Sequence, residues 1–283
     1  MLRTASAVLV HTFEVDEVLT DAAGAVTVVV KRLDGTTIVG SPFTAAHDST
    51  GVYSLALPGQ AQLDALTADW SATVSGATVT MQDLVEIVGG FIFGLAEVRA
   101  MRPPLSAATY STSELAEKRI EVETDCEQLT STTWVPRYKR YALSGNGTCR
   151  LLTPVADLRL LRSVTVNETA WSQSQVDAVR VSASGVLELY GGYWPCGVGN
   201  VIVEIEHGLD FPTGPIRTQA MIHLRSLLNG STTSDGSVPV NALSWTAGEG
   251  GTYRISTPAR DRVGIPSVDG VYSRYGQDLG GFA

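Results

Sequence analysis

The chain of 283 residues has room for about two domains, and a hydrophobic share of 44% excludes disorder as its main state. Only 17% of residues are charged, while 28 Gly and 12 Pro favour strands and turns over long solvated helices. The net charge of −9 sits mainly in residues 1–98, with 3 basic against 11 acidic groups, which argues against nucleic-acid binding through phosphate neutralisation.

Residues 6–13, 26–32, 36–39, 51–56, 69–74 and 78–87 read as short strands between turn signals, the pattern of an antiparallel sandwich. Asp34-Gly35 is a hairpin turn, because both residues tolerate positive φ, and Gly76 permits another tight return. Residues 58–66 read as one helical turn leading into Trp70. Val88-Gly89-Gly90 closes the segment, and an apolar stretch over 91–101, with room for a helix, stops at Pro103-Pro104. A longer helix follows. Ser113 caps it, Leu115, Val122, Cys126 and Leu129 form one stripe, and glutamates enrich its first half.

Strand character returns at 137–143, 148–152, 160–166, 178–181, 186–189 and 200–206, with hairpin signals at Asn146-Gly147 and Ser184-Gly185. A second helix spans 215–228, carries Ile216, Ala220, Leu224 and Leu227 on one face and ends at Asn229-Gly230. The two stripes are expected to pack together. Residues 229–283 lack periodicity and read as a tail that is disordered or orders only against a partner. The expected fold is therefore α+β, mainly β: an N-terminal antiparallel β-sandwich (1–88), a linker (89–110), a body of helix, β insert and helix (111–230) and an extended C-terminal tail (231–283).

Nothing in the sequence assembles a catalytic set, and we expect no enzyme, cofactor or metal site. Cys126, Cys149 and Cys196 lack CxxC spacing and read as reduced thiols of a cytoplasmic setting. His11, His47, His207 and His223 read as surface or structural groups. His47-Asp48-Ser49 are adjacent, whereas catalytic triads assemble from separate segments. Gly197-Val198-Gly199-Asn200 lacks the Lys-Ser/Thr pair of a phosphate loop and precedes a strand. Gly191-Gly192 is read as a bend that positions an aromatic plug in Tyr193-Trp194-Pro195, and the neighbouring acids Asp16 and Glu17 have no apolar shield. No stretch approaches the ~18 apolar residues of a membrane span, and residues 1–16 do not read as a signal peptide.

Residues 112–228 resemble the head-to-tail adaptor (connector) proteins of long-tailed bacteriophages. The resemblance is carried by Trp134-Val135-Pro136-Arg137-Tyr138-Lys139-Arg140, residues 160–167, Gly185-Val186-Leu187, Trp194-Pro195, residues 200–208 and residues 212–228, in that order. The tail at 250–258 and 264–275 is similar to that of actinobacteriophage members, and Asp48-Ser49-Thr50-Gly51-Val52-Tyr53 and Ala68-Asp69-Trp70 to their extra N-terminal sandwich. The resemblance implies a structural virion protein: a homo-oligomeric ring of twelve copies in the neck, made in the host bacterial cytoplasm. It would dock to the portal protein on one side and to a stopper or tail-terminator protein on the other, with DNA passing through its channel and no membrane involved. Within that frame the tail is expected to dock to the portal through Tyr253, Ile255, Ile265, Val268, Val271 and Tyr275 as apolar anchors and Arg254, Arg260, Arg262 and Arg274 as cations. Its alternating run at Tyr253-Arg254-Ile255-Ser256 would add a strand to a sheet of the partner. The alternative is a tail-associated receptor- or carbohydrate-binding protein, suggested by the front sandwich and the scattered aromatic residues.

Overall fold

A computed structural model describes residues 1–231, 244–246, 252–254 and 262–276. The chain opens with β1 (Ala7–Thr12), β2 (Glu14–Val15), β3 (Val18–Leu19), β4 (Thr27–Arg32), β5 (Phe43–Thr44), β6 (Ala46–Ser49), β7 (Val52–Leu57), β8 (Asp64–Val74) and β9 (Ala77–Ile87). Two helices follow, α1 (Leu95–Ala100) and α2 (Thr112–Thr130), then β10 (Arg137–Gly145), β11 (Arg150–Leu152), β12 (Leu158–Val166), β13 (Thr169–Ala170), α3 (Gln173–Asp177), β14 (Val179–Ser182), β15 (Val186–Leu189) and β16 (Gly197–His207). Helix α4 (Gly214–Ser231), the pair β17 (Ser244–Thr246) and β18 (Thr252–Arg254), and α5 (Pro266–Tyr275) complete it. The fold is mixed α+β with strands predominant.

The contacts divide the chain into two compact units, each discontinuous in sequence: residues 1–90 with 136–208, and 91–135 with 209–283. In the β unit, sheets β1-β7-β6 and β5-β4-β8-β9 share one core of Val28, Val30, Leu55, Leu57, Trp70, Ile87 and their neighbours. Strand β8 alternates through Leu66, Ala68, Trp70, Ala72 and Val74, so one face is committed to that core. The β8–β9 return falls at Ser75 and Gly76, both with positive φ, as the glycine signal predicts. The expected helical turn over 58–66 is absent, since Asp64, Ala65 and Leu66 already belong to β8. The expected strand at 36–39 reduces to the single bridge Lys31↔Thr37.

Residues 136–208 add the sheets β10-β16-β12-β13 and β11-β15-β14 over a second core containing Leu161, Val164, Leu187, Trp194, Val203 and Ile205. Asn146-Gly147 is not a hairpin: β10 pairs with β16 and β11 with β15, so the turn passes the chain from one sheet to another. The two segments of the unit meet directly. Gly89 N–H donates to the Pro136 carbonyl at 2.8 Å, and a Cβ on Gly89 would stand 2.7 Å from the proline ring, which explains a glycine there. Leu63, Ala65 and Tyr138 form a small shared cluster, and Arg137 reaches Glu86 at 2.7 Å.

In the helical unit, Leu115, Val122 and Cys126 of α2 share a core with Ile216, Ala220 and Leu224 of α4, the pairing expected from the two stripes. Leu228 is fully buried, whereas Leu227, expected on the packed face, is only half-buried. Helix α2 starts earlier than expected, with the Ser111 hydroxyl accepting from Glu114 N–H at 3.1 Å. The stretch taken as a linker contributes to this core as well, through Ile92, Phe93 and Val98, while the Glu123 carboxylate accepts from Ile92 N–H at 2.8 Å. Over 262–276 the tail is not extended. Pro266 opens α5, whose Val268 and Tyr272, one turn apart, are buried against α2 and α4.

Candidate functional site

Several charged groups of the β unit line a cleft of about 410 Å3, among them Arg3, Arg32, Asp64, Arg162 and Glu206 beside Tyr138. Asp64 is buried at the start of β8. Its carboxylate accepts from Ala65 N–H and from Arg32 Nε, each at 2.9 Å, yet burial outweighs both and pushes its pKa up. Arg162 on β12 lies 5.2 Å over the Tyr138 ring, pairs with Glu206 and donates to the Leu63 carbonyl. Burial also raises the Tyr138 phenol. Arg32–Asp64 and Arg162–Glu206 each pair within one segment, and the Arg162 hydrogen bond to the Leu63 carbonyl is what ties residues 1–90 to 136–208 here. Arg162→Ala should strip Glu206 of its partner and lower the stability of the β unit by about 2 kcal/mol, read by denaturant unfolding. An unchanged midpoint would show that Arg162, through Glu206 and the Leu63 carbonyl, contributes nothing to the stability of the unit.

His207, at the end of β16, is 2% exposed, and neither ring nitrogen finds a partner among the described residues. Burial, with Lys139 and Arg137 nearby, lowers its pKa to about 4. A lowered folded pKa favours the neutral ring, so its stabilisation is complete above the unfolded value of 6.5 and is lost as pH falls towards 4. Unfolding free energy should fall by about 1.4 kcal/mol per pH unit across that window from this group alone. His207→Phe should flatten that slope. Equal slopes in both proteins would exclude His207 as its source. Burial likewise lowers His223; His207 and His223 are thus structural residues, while His47 is exposed at the surface, so both halves of the expectation occur.

The residues expected to dock a partner are dispersed. Tyr253 and Arg254 lie in β18, where Trp245↔Tyr253 and Ser244↔Arg254 pair within the chain, so one edge of that strand is already occupied. Ile255 and Arg260 lie outside the described residues. Arg262 and Arg274 are exposed, and Ile265, Val271 and Tyr275 are half-buried against the helical core. Val268 is fully buried and is a core residue, not an anchor. The signal for α5 was present in the i,i+4 pairs Val268/Tyr272 and Val271/Tyr275 behind Pro266. Asp269 also accepts from Val263 and Gly264 N–H at 2.8 and 3.1 Å, fixing the approach to the helix.

Two places that the sequence singled out carry exposed apolar and aromatic side chains that it did not foretell. One is the loop after β15, where Tyr190 is 100% and Tyr193 71% exposed while Trp194 between core strands is fully buried. The other is the β2–β3 hairpin, with Glu14, Asp16 and Glu17 exposed beside uncovered Val18 and Leu19. Exposure of this kind is set by tertiary packing, which local composition does not report. No protein-family model matches the chain, and no curated protein matches it either. Among the described residues no group of His, Cys, Asp and Glu is placed to hold a metal ion, and no helix is long and apolar enough to cross a membrane.

Proposed function

We propose that the chain is a structural component of a phage neck, a head-to-tail adaptor whose copies form a ring of twelve between the portal and the stopper or tail. DNA passes through the channel of that ring without sequence-specific contact. The observation that carries this reading is the pairing of α2 with α4 in one core across an intervening antiparallel β block, the element order of the adaptor family. In this reading residues 1–88 are an Ig-like sandwich added to the adaptor. The C-terminal segment meets the portal through its exposed Arg262 and Arg274, through Ile265, Val271 and Tyr275, and through residues 253–260. The exposed Tyr190 and Tyr193 favour a second reading, a tail-associated protein that binds a receptor or carbohydrate.

The mass of the full-length protein alone and mixed with purified portal, by native mass spectrometry, separates the two. A ring that joins the portal is expected. A monomer that ignores the portal and retains glycans on an array would overturn the adaptor reading in favour of the second.

A further inference from the structure

We infer that copies of this chain associate head to tail, with the acidic β2–β3 hairpin of one copy seated on the outer face of the β11-β15-β14 sheet of the next. This deepens the ring reading above and rests on it. The hairpin returns through Asp16 and Glu17, at φ 52° and 65°, between the pairs Glu14↔Leu19 and Val15↔Val18. Glu14, Asp16 and Glu17 have no ion-pair or side-chain hydrogen-bond partner among the described residues. Val18, at 64% exposure, and Leu19 sit beside them. One short element thus offers three unpaired carboxylates and two uncovered aliphatic side chains.

The receiving face has the opposite character. Leu151, Leu187 and Val179 turn inward to the core, which leaves Arg150, Leu152, Arg180, Ser182, Val186 and Glu188 on the outer side. Register places Glu188 opposite both Arg150 and Arg180. Its carboxylate is taken by Arg150 Nε at 3.0 Å, so Arg180 is exposed without a partner among the described residues. The face therefore holds a cationic surplus, over a cavity of about 360 Å3. Leu152 lies in the next row, uncovered, and the fully exposed Tyr190 follows β15 directly.

Charge and apolar character match term by term: carboxylates to Arg180 and Arg150, Val18 and Leu19 to Leu152 and the Tyr190 ring. Because the two surfaces differ, each copy contributes one of each. Such a contact repeats and either closes as a ring or continues as a filament.

The test uses the full chain in two charge-reversed forms, Arg180→Glu and Glu14→Lys/Glu17→Lys, with association followed by sedimentation velocity. Asp16 is left in place because an aspartate tolerates the left-handed turn. Wild type should associate in a concentration- and salt-dependent way, and each variant should weaken association about tenfold or more while its melting curve is unchanged. An equimolar mixture of the variants should recover association through alternating copies, since each contact between unlike variants is either native or charge-swapped while contacts between like variants stay repulsive. Association unaltered in both variants, or a mixture no better than its parts, overturns the contact. A wild type that stays monomeric and retains heparin through Arg180 also overturns it, in favour of an anionic polymer as occupant. Cosedimentation with portal reports the adaptor reading separately. Variant rings that still bind portal sink the contact alone, whereas wild-type monomers that ignore portal sink both.

Discussion

Val122→Asp should unfold the helical unit. Val122 is fully buried where α2 meets α4, in a core with Leu115, Cys126, Ile216, Ala220 and Leu224. A carboxylate placed there would be buried among apolar side chains, where its ionised form is strongly disfavoured, a loss of about 4 kcal/mol or more. Ile120→Asp is the control, because Ile120 on the same helix is exposed and the change should stay within about 0.5 kcal/mol. The neighbouring Cys126 supplies a local readout. Burial pushes its thiol up to about 12, so it should resist alkylation in the native protein, while the exposed Cys149 and Cys196 label. In the Val122→Asp variant Cys126 should label at a rate like theirs. A soluble variant with a normal melt and a protected Cys126 would refute the shared helical core.

How far the sequence could be read follows from where each signal resides. The stripes Leu115/Val122/Cys126 and Ile216/Ala220/Leu224 repeat over several turns, so both helices and their mutual packing were legible. Turns that depend on one glycine, at Gly35, Gly76 and Gly185, were legible for the same local reason. Two-residue strands such as β2, β3 and β13 were not, because a pair of residues has no period to read. The ladder of β10 with β16 rather than β11 could not be read either, since it depends on contacts distant in sequence. Of the expected docking residues, position along the chain identified Arg262 and Arg274 as exposed. It could not show that α5 turns Val268 into the helical core, nor that an acidic hairpin and a cationic sheet face stand uncovered elsewhere.

The aromatic plug anticipated after Gly191-Gly192 bears the second large effect. Trp194 has no exposed surface, stacks on Trp171 with centroids 5.4 Å apart and planes at 8°, and donates Nε1–H to the Leu187 carbonyl at 3.3 Å. Its backbone closes a pair of hydrogen bonds with the 147–148 turn, Trp194 N–H to Thr148 O at 2.8 Å and Gly147 N–H to Trp194 O at 2.9 Å. Trp194→Ala removes the largest side chain of the Leu187/Val201/Val203 core and leaves a cavity, a cost of about 3–5 kcal/mol. The β unit should then melt first. Trp194→Phe keeps a ring against Trp171 and gives up the indole donor and one of its two rings, so its cost should be smaller, about 1–2 kcal/mol. The same residue anchors the loop that presents Tyr190 and Tyr193, so if copies associate as proposed, Trp194→Ala should weaken that association at temperatures where the protein is still folded. Denaturant unfolding followed by tryptophan fluorescence, with sedimentation at the same temperature, checks both effects. Equal losses for the alanine and phenylalanine variants would mean that what phenylalanine lacks, the indole donor and second ring, holds the loop, and not a phenyl ring packed on Trp171.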